Sequence, residues 1–185
     1  MTRHVMDIAV RTGDRRRAAG AVTAGRGGDA VGAQAQLEAR GIVLPQPFPP
    51  VGSYVNHVRV GDQLVLGGQV PWEPPDRLVQ GRLGLDLDVE QGREAARLAA
   101  LNALAGIEQA LGGLDEVERV VSLRGVVNAT PDFTEHTQVV DAASDVFVDV
   151  FGERGRHARL AFGVSSLPAN LALEIELVVQ VRAAG

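Results

Sequence analysis

Apolar and polar residues change period several times along this chain, and each change marks an element. Residues 54–60 and 63–70 carry strand-like apolar runs, and Gly61-Asp62 between them reads as a two-residue hairpin. Gly67 and Gly68 interrupt the second run, which in a strand signals a bulge or the close approach of another backbone. Pro71–Arg77 reads as a Pro-rich loop, and a short strand near Leu78–Arg82 follows. From Asp88 the period changes to that of a helix. Gln91 three residues on completes a capping box, and Gly112-Gly113 closes the helix. Its inner face carries Ala96, Ala99, Ala103 and Ala110 with Leu104, Ile107 and Leu111, small enough for close packing on a sheet. Residues 118–129 form a strand, and Asp132 with Glu135 caps a second helix to Phe151, striped by Val139, Val140, Ala143, Val146, Phe147 and Val150. Gly152 ends it, and strands over 158–167 and 172–182 complete the order β-β-α-β-α-β-β.

This order predicts an α+β domain over residues 33–182, one sheet with two helices on one face. Ahead of the strands, Ala33 to Arg40 is a short helical pattern, and Pro45, Pro47, Pro49 and Pro50 impose an extended connector. Residues 1–32 lack a sustained period and read as a solvated tail, as do residues 183–185. Much of the last three strands is apolar on both alternations, so the face without helices needs a cover that one chain does not supply. Self-association is the simplest solution.

Composition narrows the chemistry. The 185 residues contain no cysteine and no lysine, all eighteen basic residues being arginine. Thiol catalysis and Schiff-base chemistry on a lysine are therefore excluded. Net charge is −5, with six Arg against three Asp in residues 1–34 and an acidic remainder. That balance, with one Trp and one Tyr, disfavours nucleic acid as a partner. Four histidines at 4, 57, 136 and 157 lack ligand spacing, so no metal site is expected. No apolar run reaches membrane-spanning length and no secretory signal is visible, so a cytoplasmic protein is expected.

The residues that stand out lie near the C-terminus. Arg159 sits within an apolar strand, and Glu174 and Glu176 stand among Leu and Val in the next. By alternation the Arg and Glu residues are expected on the sheet face without helices, where a charge needs a partner. That partner is Glu174 or Glu176, which spacing favours, or an anionic ligand in a cleft between subunits. Tyr54, the sole tyrosine, reads from its position as an amphipathic ring at a sheet edge.

These residues carry a resemblance. V-G-S-Y-V at 51–55, G-G-Q-V-P at 67–71, H-A-R at 157–159 and S-L-P…L-E-I-E over 166–176 follow one another in the order seen in the Rid/YjgF family. These are reactive-intermediate deaminases, also called L-PSP endoribonuclease-like, and residues 133–159 look like its divergent chorismate-mutase-like branch. The resemblance covers about Leu37 to Val181. It implies a homotrimer around a barrel of sheets with three inter-subunit clefts. It further implies hydrolysis of small 2-enamino or 2-imino acids to 2-keto acids without a cofactor. On this likeness Arg159 binds the substrate carboxylate, Glu174 positions the attacking water, Tyr54 and Gly68 line the cleft, and the Ala161 amide helps hold the carboxylate. The deaminases usually have serine at Gly67, cysteine at Ala161 and asparagine near Ser144, and the 71–86 loop is longer here. A non-catalytic trimer binding carboxylated metabolites is the alternative, followed by a ribonuclease. Mutase activity ranks last, because shared fold does not establish chemistry.

Overall fold

A computed structural model of the chain describes residues 32–182; the expected N-terminal tail up to Val31 and the tail at 183–185 lie outside the described residues. Ten elements follow one another: α1 (Ala33–Ala39), β1 (His57–Val60), β2 (Gln63–Gln69), β3 (Trp72–Glu73), β4 (Arg77–Leu78), α2 (Val89–Leu111), β5 (Val117–Asn128), α3 (His136–Phe151), β6 (Ala158–Val164) and β7 (Leu173–Val181). The main sheet has the order β1-β2-β7-β5-β6, antiparallel except for the parallel pair β5/β6. The strand–helix–strand crossover of α3 makes that pair parallel, since two strands joined over one sheet face must run the same way.

The α+β class, the order of the main elements and the two helices on one face agree with the sequence reading. Asp88 caps α2 with a full capping box, its side chain accepting from the Gln91 amide at 2.8 Å while Gln91 Oε1 accepts from the Asp88 amide at 2.9 Å. Gly112 closes α2 in the left-handed conformation. Of the expected inner face, Ala96, Ala99, Ala103, Leu104 and Ile107 are fully buried, joined by Ala95 and Ala100, while Ala110 and Leu111 at the C-terminal end are only partly buried. Every apolar residue assigned to the α3 stripe is buried.

Three local expectations change. The Pro71–Arg77 loop contains a small hairpin, β3 paired with β4 through Trp72–Leu78 and Glu73–Arg77. Asp132 and Glu135 do not form a capping box; α3 starts one residue after Glu135, with no side-chain cap bond. Tyr54 precedes β1 instead of opening it, lying in a bend.

Helix α3 lies directly on the sheet at Gly125. A Cβ there would come within 2.5 Å of Val140 Cγ2, so only a hydrogen side chain allows this approach. On the opposite face none of the described helices packs. There Leu160 and Phe162 of β6 are 55% and 37% exposed, and Val58 and Val60 of β1 are exposed as well. Among these apolar groups Arg124 and Glu176 pair across strands at 3.1 Å.

Candidate functional site

Two separate groups of polar residues emerge, one on each face of the sheet. The first is built on the bulge in β2. Leu66 pairs with Leu177 and Gln69 with Ile175, so the strand spends three steps where its partner spends two. The extra residue at Gly67-Gly68 is the bulge that the paired glycines predict. A Cβ on Gly68 would lie 3.0 Å from Glu174 Oε2, so the carboxylate rests against bare backbone. Burial pushes the Glu174 carboxyl above its ordinary value, because desolvation penalises the ionised form and no cation among the described residues answers it.

The second group lies on the helix face, where β6 runs along the sheet edge beside α3. Arg159 pairs in register with Leu123, and Leu123 with Leu177, both buried beneath the helices. Its Nη1 donates to Asp141 Oδ1 on α3 and to Ser144 Oγ one turn later at 3.2 Å. Ser144 Oγ is also 3.1 Å from His157 Nε2, and His157 Nδ1 is 2.6 Å from the Gly155 carbonyl oxygen. A carbonyl only accepts, so the imidazole proton sits on Nδ1 and Nε2 accepts from the serine hydroxyl. Phe147 meets the imidazole edge-on at a centroid distance of 6.0 Å. Burial, with the Arg159 charge adding to it, lowers the His157 pKa against the opposing Gly155 bond, which favours the neutral ring.

This arrangement corrects the expected partner of Arg159. The guanidinium meets Asp141, not Glu174 or Glu176, and it lies on the helix face rather than the open one. Glu176 is taken instead by Arg124. The reason lies in the parity of β6: Arg159, Ala161 and Gly163 turn toward α3, while Leu160 and Phe162 turn outward. Alternation fixes which residues share a face but not which face that is. Ala161 packs at the margin of the main core. Tyr54 is 57% exposed, its hydroxyl accepting from the Val51 amide at 3.2 Å. Of the expected site residues, therefore, Gly68 and Glu174 come together, and Arg159 and Ala161 share the other face. Asp141 is the site residue that the sequence reading does not name; its spacing of three from Ser144 on one helix is the signal that points to it.

At the carboxyl ends of β5 and β6 a cleft of about 300 Å³ opens, lined by Thr130, Pro131, Phe133, His136 and Ser165 among others. No cluster of side chains suited to a metal ion occurs among the described residues, and none of the described helices is long and apolar enough to cross a membrane.

Residues 34–181 match the family model described as "YjgF/chorismate_mutase-like, putative endoribonuclease". The chain belongs to the YjgF family. Protein TCP17 of Trypanosoma cruzi is 43% identical to this YjgF-family chain over 149 residues, 80% of the chain and 93% of that protein. The crystal structure of Atu1372 from Agrobacterium tumefaciens, a protein of unknown function, superposes with a TM-score of 0.74 at 38% identity, covering 82% of this chain and 92% of its own. RidA of the Antarctic bacterium Psychrobacter sp. gives a TM-score of 0.53 at 25% identity, over 74% and 94% of the two chains. The YjgF assignment thus spans the whole described sheet and both long helices.

Proposed function

We propose that this YjgF-family protein hydrolyses small 2-imino acids, and the 2-enamino acids that tautomerise to them, to 2-keto acids in clefts between copies of a homotrimer. Water adds to the iminium carbon, a C–O bond forms, the C–N bond breaks, and the nitrogen leaves as ammonium carrying both protons of that water. The observation that carries this reading is Glu174: a half-buried carboxyl with a raised pKa, set against the bare backbone of Gly68. Such a group takes a proton from water and returns it to the departing amine, a contribution typically worth roughly 10²–10⁴-fold. The reaction consumes only water, so it calls for no cofactor.

Arg159 supplies the anchor for the substrate carboxylate on this reading, with the Ala161 amide beside it. Because Arg159 and Glu174 lie on opposite faces of one sheet, a ligand touching both takes each from a different protomer. The uncovered face with Leu160, Phe162, Val58 and Val60 supports that assembly. Tyr54, already exposed, is assigned to the cleft wall, and the cytoplasm is the compartment the reading favours.

Two observations support a second reading, a trimer that binds carboxylated metabolites without turnover. Asp141 already answers the Arg159 charge, and Gly67 leaves no hydroxyl on the cleft wall. The two readings separate in a coupled assay in which an amino-acid oxidase generates the imine and ammonia release is followed. Arg159→Ala is expected to abolish acceleration while leaving the oligomer unchanged by light scattering. Full activity in that variant refutes the anchor role, and ligand-induced thermal stabilisation without turnover in the wild type favours the binder.

A further inference from the structure

The hydrogen bonds of the Arg159 guanidinium all leave from Nη1, toward Asp141 and Ser144; Nε and Nη2 make none among the described residues. A guanidinium presents two forked edges to an oxyanion, one formed by Nη1 and Nη2 and one by Nε and Nη2. The contacts from α3 occupy the first and leave the second. We propose that Asp141, Ser144 and His157 are positioning residues that hold Nη1 so that the Nε/Nη2 edge receives the substrate carboxylate. This rests on the reading above, in which Arg159 binds that carboxylate.

The direction of every hydrogen bond in the set is determined. Gly155 C=O accepts from His157 Nδ1–H, His157 Nε2 accepts from Ser144 Oγ–H, and the serine lone pairs are left for Arg159 Nη1–H. No member can rotate away without leaving a partner unmade in a half-buried setting. An arginine side chain otherwise carries large rotamer freedom, which ligand binding would have to remove. Here α3 removes it in advance. The 22% exposure of the Arg159 side chain, against 47% for Asp141, fits a group held from the helix side and open at its rim. Asp141 also leaves the local charge near zero before binding, so the carboxylate is recognised by geometry more than by net attraction.

The test compares Asp141→Ala, Asp141→Asn and Ser144→Ala with wild type by calorimetric titration of 2-oxobutanoate and of its uncharged amide. Steady-state imine hydrolysis and ¹⁵N relaxation of the Arg159 Nε–H accompany it. In Asp141→Ala the Kd for the acid is expected to rise roughly tenfold, the order of a restored side-chain entropy. KM rises with it, kcat stays the same, amide binding does not change, and Nε becomes mobile. Asp141→Asn keeps an acceptor oxygen and is expected to bind at least as tightly as wild type, with Nε still ordered. Ser144→Ala, the mildest change, is expected to weaken binding a few-fold. Unchanged or tighter binding by Asp141→Ala overturns the proposal, because Asp141 would then be a bystander or a competitor. A wild type that binds the acid but releases no ammonia defeats the hydrolase reading and leaves the positioning role standing. A wild type that does not bind the acid defeats both.

Discussion

Gly125→Ala tests how closely the site depends on packing beneath it. The added methyl would sit 2.5 Å from Val140 Cγ2, 2.8 Å from Cγ1 and 3.2 Å from Cβ, where ordinary carbon contacts begin near 3.5 Å. Valine in a helix has one strongly preferred rotamer, so turning the side chain gives little relief. Either Val140 leaves its rotamer or α3 rises by on the order of an ångström, and overpacking of this kind costs about 1–3 kcal/mol. The helix does not move alone. Asp141 follows Val140 directly, so lifting α3 at Gly125 draws the carboxylate away from Arg159. Urea denaturation is expected to show a lower midpoint for Gly125→Ala, and titration a weaker affinity for 2-keto acids. The companion Val140→Ala costs about 0.5–2.5 kcal/mol alone by deleting buried methyls. The double variant is expected to lose clearly less stability than the sum of the two single losses, since the new methyl fills the space vacated. A Gly125→Ala protein within 0.5 kcal/mol of wild type, or strict additivity with Val140→Ala, would refute this account of the helix–sheet contact.

Glu174→Gln is expected to lower imine hydrolysis by roughly 10²–10⁴-fold, read from ammonia release. It is also expected to stabilise the fold near neutral pH. The wild-type carboxyl has a folded pKa above its ordinary 4.5, so the native state binds more protons than the unfolded one and loses stability as pH rises through that window. The glutamine variant escapes this loss, and the gap between the two thermal midpoints should close below about pH 4. Asp88→Ala removes the cap and half of the capping box of α2, which is expected to cost about 1 kcal/mol by denaturant titration, with KM unchanged.

What could be read in the sequence was local. Asp88 and Gln91 fix one helix end within four residues, Gly112 fixes the other, and Gly67-Gly68 marks the bulge without help from distant residues. The partner of Arg159 was not local. Strand periodicity groups Arg159 with Ala161 but gives no sign, and β6 inverts the usual polarity by turning Leu160 and Phe162 away from the helices. A rule that sends aliphatic residues inward therefore assigns the wrong side. The inversion becomes intelligible only once β6 is known to be an edge strand with polar residues of α3 above it. Glu174 escaped the same error because β7 is central and its inward row, Leu173, Ile175 and Leu177, is uniformly buried.

A guanidinium above the sheet and a carboxylate below it cannot close on one small guest within a single polypeptide. On the reading proposed here, stoichiometry enters the rate law. Dilution would dismantle the machinery before any residue unfolds, and a mixture of anchor-dead and base-dead subunits would regain turnover wherever an intact half met an intact half.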